Sequence, residues 1–251
     1  MKWLKFLKWM FSLAFLACLA WACFFVWSEW ISPDPQETAE EEKKQMQREH
    51  ELLLERNLSE SKKYAFVVVV NPAHGGGDAG EKNDTLLEKD VVLAISKKIK
   101  ELNTQEDIGI FLTRESDVNP DENMRREFLE KMEPDLFIDV HAGKKPQNNE
   151  AGTTVYYVTD YYNYHITNVG LADLMERNVV TKIEGVAAGI AEDTENKYSL
   201  LTGVGCPSVA LEVGCLSGPV EGVLLGRDSY QENIATGVLK TIEEVQKKVK
   251  E

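Results

Sequence analysis

Val67-Val68-Val69-Val70 runs directly into Asn71-Pro72-Ala73-His74-Gly75-Gly76-Gly77, and this stretch constrains the chain more than any other. Four consecutive β-branched residues read as a strand buried on both faces, because a half-exposed strand alternates with polar residues. Strands of that kind need cover on both sides, which favours a parallel sheet between helical layers. Pro72 cannot donate to a sheet ladder and marks the strand's end. A histidine just beyond, ahead of three glycines that let other groups approach, is well placed for chemistry.

The chain after residue 63 alternates strand and helix patterns. Strands are expected at Tyr64 to Val70, Ile108 to Thr113, Leu136 to His141, Thr153 to Val158 and Ser208 to Val213. Helices are expected at Thr85 to Leu102, from Asn119-Pro120-Asp121 onward, within Ile166 to Ile183, and at Ser229 to Lys248. For the second of these, Asn119 reads as the cap and Pro120 as the first helical position. Residues 184–205 carry no clear pattern. Such alternation implies an α/β fold with a largely parallel sheet, whose sites lie beyond the carboxyl ends of the strands.

The N-terminus is of a different kind. Lys2, Lys5 and Lys8 make a basic tail over residues 1–8, and residues 9–28 contain no charge. About 20 apolar residues span a bilayer as a helix, and the flanking lysines put the tail in the cytoplasm and the rest outside. A cleaved signal peptide is the rival reading, but no convincing small-x-small cleavage site precedes Trp27. Cys18 resembles a lipidation site only faintly, since the apolar run continues past it. Residues 29–63 are rich in Glu, Lys, Gln and Arg and read as a helical or disordered stalk. Residues 64–251 then form one domain. The formal charge of −14 offers no basic face for nucleic acid. Cys206 and Cys215 flank a strand and are too far apart in sequence for a disulfide across it, so free thiols are expected.

Two histidines and two acids stand out. His74 and His141 follow equivalent ends of two parallel strands and would project at one sheet edge. Glu88 shares a helical face with Val92, Ile95, Ile99 and Leu102, so it points toward the sheet, where a carboxylate needs a partner or a metal. Thr85-x-x-Glu88 also matches a capping box, and spacing alone does not choose between the two. Glu212 interrupts the apolar strand Val209 to Val213. It needs either a charged partner, such as Arg114, or a role as general base. Two imidazoles and a carboxylate suit zinc with an open fourth position, and would also suit iron.

Residues 65–249 resemble the zinc-dependent N-acetylmuramoyl-L-alanine amidases of the amidase-3 type. The matching motifs run in order: Asn71-Pro72-Ala73-His74-Gly75-Gly76, Leu87-Glu88-Lys89-Asp90, Leu112-Thr113-Arg114, Leu136-Phe137-Ile138-Asp139-Val140-His141-Ala142 and Leu211-Glu212-Val213-Gly214. The resemblance implies a three-layer α/β domain and zinc on His74, Glu88 and His141, with Glu212 as the base. It implies hydrolysis of the amide between N-acetylmuramic acid and L-alanine in peptidoglycan, outside a cytoplasmic membrane. The format is similar to that of membrane-anchored spore-cortex amidases. Asn71 in place of an acid, Ala73 in place of a glycine, Asp139 in place of a serine and Gly143 in place of an asparagine depart from the pattern. Cys215 and Gly218 also replace the family's aromatic residue and asparagine. These departures motivate the alternative of a non-catalytic module that binds cell wall or a division or sporulation partner. An iron oxygenase would leave Glu212 without a task.

Overall fold

The computed structural model describes residues 2–27, 35–143, 152–160, 165–183 and 187–250. Residues 28–34, where the expected span gives way to the stalk, lie outside the described residues, as do Tyr161, Tyr162 and Tyr164 of the tyrosine-rich connection. The chain divides into two compact units, Met1–Gln45 and Met46–Glu251. In the first, α1 (Lys2–Val26) is long and apolar enough to cross a membrane and has no buried residue.

The second unit begins inside α2 (Pro35–Ser61), so residues 46–61 belong with the sheet rather than to a free stalk. The Leu52-Leu53-Leu54 run explains this. Leu54 is buried in a cluster with Phe111, Phe128, Leu129 and Met132, and Leu53 and Leu58 pack alongside. Burying side chains of this size contributes roughly 1.5–3 kcal/mol each, which outweighs the solubility of the helix's other faces.

Among the described residues, six strands form one mixed sheet. They are β1 (Phe66–Pro72), β2 (Ile108–Leu112), β3 (Leu136–His141), β4 (Thr153–Tyr157), β5 (Ala187–Glu192) and β6 (Ser208–Glu212), in the order β2-β1-β3-β6-β4-β5. β2, β1, β3 and β6 run parallel. β4 runs antiparallel to β6, and β5 parallels β4. The four parallel strands therefore deliver their carboxyl ends to one edge.

Helices cover both faces, as a doubly buried valine strand requires. Val68 and Val70 face one core with α3 (Glu88–Glu101), α5 (Asn168–Ile183) and α7 (Asp228–Lys250), while Val69 faces the core of α2 and α4 (Glu122–Met132). The same alternation along β3 sends Ile138 and Val140 to the first core. It leaves Phe137, Asp139 and His141 on the second face. A short helix, α6 (Glu221–Leu224), follows β6.

Three local readings change. The cap of α4 is Asp121, which accepts from the Met124 amide at 2.9 Å, so Asn119 and Pro120 precede the helix. No capping box forms at α3: Leu87 is its cap residue and offers no side-chain bond, while Asn83 Oδ1 takes the amides of Thr85 and Leu86. Residues 187–192, which the sequence pattern leaves unassigned, are the edge strand β5. All four cysteines are free, with Cys206 and Cys215 buried.

Candidate active site

His74, Glu88 and His141 converge at the carboxyl edge of the sheet, each offering one ligand atom within 4.8 Å of the others. The loop after β1 places the first imidazole. His74 adopts a left-handed backbone (φ 58°), a costly conformation for a residue with a side chain. Arg114, fully buried after β2, holds the loop by donating to the carbonyls of Pro72 (3.0 Å) and Ala73 (2.9 Å), and to that of Lys89 (2.8 Å). It is therefore the brace of the loop and not a partner of Glu212. Gly75 has φ 136°, and a Cβ there would lie 2.0 Å from the Val118 carbonyl oxygen. Gly75→Ala is accordingly expected to cost about 1–3 kcal/mol in strain and to displace His74. A lowered melting temperature together with weakened metal binding would show it, and a melting temperature equal to the native one would contradict it.

Glu88 is 2% exposed at the first turn of α3. Its oxygens accept from the amides of Ala142 (2.9 Å) and Glu81 (2.8 Å), and they lie 3.7 Å from His141 Nδ1 and 3.3 Å from His74 Nε2. The inward-facing reading of Glu88 thus holds and the capping one does not. The two rings meet edge to face, with centroids 5.9 Å apart.

Glu212 ends β6 directly opposite His141 in the register. Its Oε2 accepts from the Gly143 amide at 2.6 Å, and its Oε1 from the Tyr198 hydroxyl at 2.5 Å, with Lys197 Nζ at 3.1 Å. Gly143 is required by that approach, since a Cβ there would lie 2.6 Å from Glu212 Oε2. Tyr198 also packs edge-on against His141 at 5.0 Å. A cleft of about 320 Å³ opens over the site, with His74, His141, Asp139, Lys197 and Tyr198 among its walls.

The charges interlock. Burial alone would push the His141 imidazole down, but Asp139, Glu88 and Glu212 outweigh it and raise it to about 10. A hydrogen bond to Glu88 raises His74, against the opposing effect of burial. Burial would raise Glu88, yet its bonds to the two imidazoles hold it far below the usual carboxylate range. In the metal-free protein the raised imidazoles contribute stability that is complete below about pH 6.5 and is lost as pH rises toward 10. The depressed Glu88 contributes above its ordinary value and fails only in strong acid. The melting temperature of metal-free protein should therefore fall between pH 6.5 and about 10, while divalent-ion affinity climbs as protons leave the ligands. A flat profile across that window would contradict the pairing.

The donor set fits a divalent ion. The inner nitrogens of both rings face an ionised, buried carboxylate, and the outer nitrogens face Asp78 (2.8 Å) and Asp139 (3.1 Å). Sequence reasoning named His74, Glu88, His141 and Glu212, and the structure brings all four together. It noted Gly143 only as a departure from the family pattern, and it missed Asp78, Lys197 and Tyr198. The last two fall in the stretch without periodicity, where no pattern could have marked them. His50, on α2, is buried, and burial lowers its pKa.

A family model described as N-acetylmuramoyl-L-alanine amidase (amidase-3) matches residues 68–244. The germination-specific N-acetylmuramoyl-L-alanine amidase of Bacillus subtilis is 26% identical over 196 residues, covering 70% of this chain and 78% of that protein. The N-acetylmuramoyl-L-alanine amidase of Clostridium difficile 630 superposes with a TM-score of 0.66 at 25% identity, covering 73% of this chain and 97% of that one. The CwlD amidase of Clostridioides difficile, solved in complex with the GerS lipoprotein, gives 0.63 at 25% identity, covering 72% of this chain and 98% of that one. The matched span takes in all four convergent side chains, three at strand ends and Glu88 at the start of α3, and the chain belongs to the amidase-3 family of N-acetylmuramoyl-L-alanine amidases, enzymes of peptidoglycan.

Proposed function

We propose that this amidase cleaves the bond between the lactyl group of N-acetylmuramic acid and L-alanine, using zinc held by His74, Glu88 and His141 and Glu212 as general base. The supporting observation is the three ligand atoms within 4.8 Å of one another, beside a carboxylate on the adjacent parallel strand. Zinc bound there would polarise the scissile carbonyl and lower the pKa of a water molecule. Glu212, held at both oxygens by Gly143 and Tyr198, accepts the proton of the attacking water and returns it to the departing amine of L-alanine. Asp78 keeps the His74 imidazole turned with its inner nitrogen free for the ion.

In this reading α1 is a membrane anchor, with Lys2, Lys5 and Lys8 on the cytoplasmic side and the catalytic unit outside. The GerS complex of the CwlD amidase supports a search for a protein partner at the outer surface. The deciding experiment takes the full-length chain in detergent, measures its metal, and follows defined muropeptides by mass with and without chelator. About one zinc per chain is expected, with release of stem peptides starting at L-alanine, loss on chelation and recovery on zinc addition. Intact muropeptides after incubation with zinc-loaded protein would overturn the assignment.

A further inference from the structure

Asp139 and Asn71 are direct neighbours across β3 and β1. Asn71 Nδ2 donates to Asp139 Oδ1 at 2.7 Å, and Asn71 Oδ1 accepts from Thr113 Oγ1 and from an Arg125 terminal nitrogen. The buried Arg125 guanidinium uses its other N–H groups on the carbonyls of Pro120 (2.9 Å), Pro72 (3.1 Å) and His74 (2.8 Å). One arginine thus touches the backbone of the first imidazole and reaches the second through Asn71 and Asp139.

The other Asp139 oxygen lies 3.1 Å from His141 Nε2. That contact is off the ring N–H axis, so it is a charge contact more than a linear hydrogen bond, and the buried nitrogen has no hydrogen-bond partner among the described residues. Asp139 is itself 3% exposed. A buried carboxylate is costly unless something nearby needs its charge. Asn71 alone does not, because a neutral acceptor would satisfy its amide equally well. Two groups gain from a full negative charge: the buried Arg125 guanidinium, whose acceptors among the described residues are neutral oxygens, and the imidazole, because a carboxylate on the outer nitrogen fixes the ring and makes the inner nitrogen a stronger ligand. Only the second depends on the charge lying at residue 139, since Asn71 itself touches Arg125.

We propose that Asp139 is a positioning residue, which orients His141 and, through Asn71 and Arg125, locks it in register with the His74 loop, so that it sets how tightly the site holds a divalent ion. This rests on the metal-site reading above.

The test uses the full-length chain in detergent, as native protein, Asp139→Asn, and the exchanged pair N71D/D139N. Three quantities are measured: the zinc dissociation constant by competition with a chelator of known affinity, the visible spectrum of the cobalt-loaded protein, and the metal-free melting temperature. Asp139→Asn should bind zinc about 10–100-fold more weakly and shift the cobalt bands. The exchanged pair keeps the same two groups and net charge but moves the charge one strand away from His141, and it should remain as weak. Recovery of native affinity in the exchanged pair would overturn the proposal, as would unchanged affinity and spectrum in Asp139→Asn. If the metal-free melting temperature shows that Asp139→Asn does not fold, the exchanged pair alone decides. A native chain that takes up no divalent ion would defeat the underlying site reading, a failure distinct from tight zinc binding that ignores residue 139.

Discussion

Glu212→Gln should abolish most turnover while leaving the metal in place. A general base is worth about 10²–10⁴ in rate, and an amide cannot accept the proton. The fold should tolerate the change. With its oxygen toward the Gly143 amide, the new NH₂ group can donate to the Tyr198 hydroxyl, which at present donates to Glu212 and accepts from Lys197 at 2.6 Å. The nearby Lys197 ammonium loses its counter-charge, but Lys197 is largely exposed and water can compensate. The decisive comparison is zinc content against stem-peptide release. Native zinc with release reduced at least a hundredfold supports the role. Full activity in a folded, zinc-loaded Glu212→Gln protein would remove it.

Glu88→Ala should do the reverse, losing the metal first and weakening the fold with it. The carboxylate accepts two backbone amides and faces both imidazoles, so its removal leaves the Glu81 and Ala142 N–H groups and two raised histidines without their counterpart. Breaking a buried charge pair costs about 3–5 kcal/mol, which for a unit of this size lowers the melting temperature by roughly 10 °C. Metal analysis should find the variant empty, and calorimetry of native and variant proteins, both metal-free, should show the drop. Zinc retained at native affinity would rule Glu88 out as a ligand. An unchanged metal-free melting temperature would instead mean that the two amides find other acceptors.

The architecture could be read from the sequence because its signals are local. The valine run demanded a doubly covered strand, the alternation demanded parallel neighbours, and parallel neighbours demanded a common edge for His74 and His141. What stayed hidden was set by tertiary contact. The antiparallel turn of β4 onto β6 is a sheet-edge decision that no strand pattern announces. The fate of Glu88 hinged on Asn83, whose side chain took the Thr85 amide that Glu88 would have accepted in a capping box, and on the Glu81 carbonyl, which took the Glu88 amide. Gly143 looked like a departure from the family pattern, yet it is what lets a backbone amide reach Glu212. Tyr198 is ordinary in sequence and gains meaning only because a 3₁₀ turn at Ser199–Leu201 packs against β3 and β6.

The inclusion of residues 46–61 in the compact unit bears on how such an enzyme could ever be shed. A protease cutting in the short link between Ser61 and Phe66 would leave Leu54 joined to Phe111, Phe128 and Leu129, and Arg56 to Glu115, by non-covalent contact alone. A fragment that then came free would be missing one wall of its interior. Only a cut on the N-terminal side of Met46 would set free a complete hydrolase.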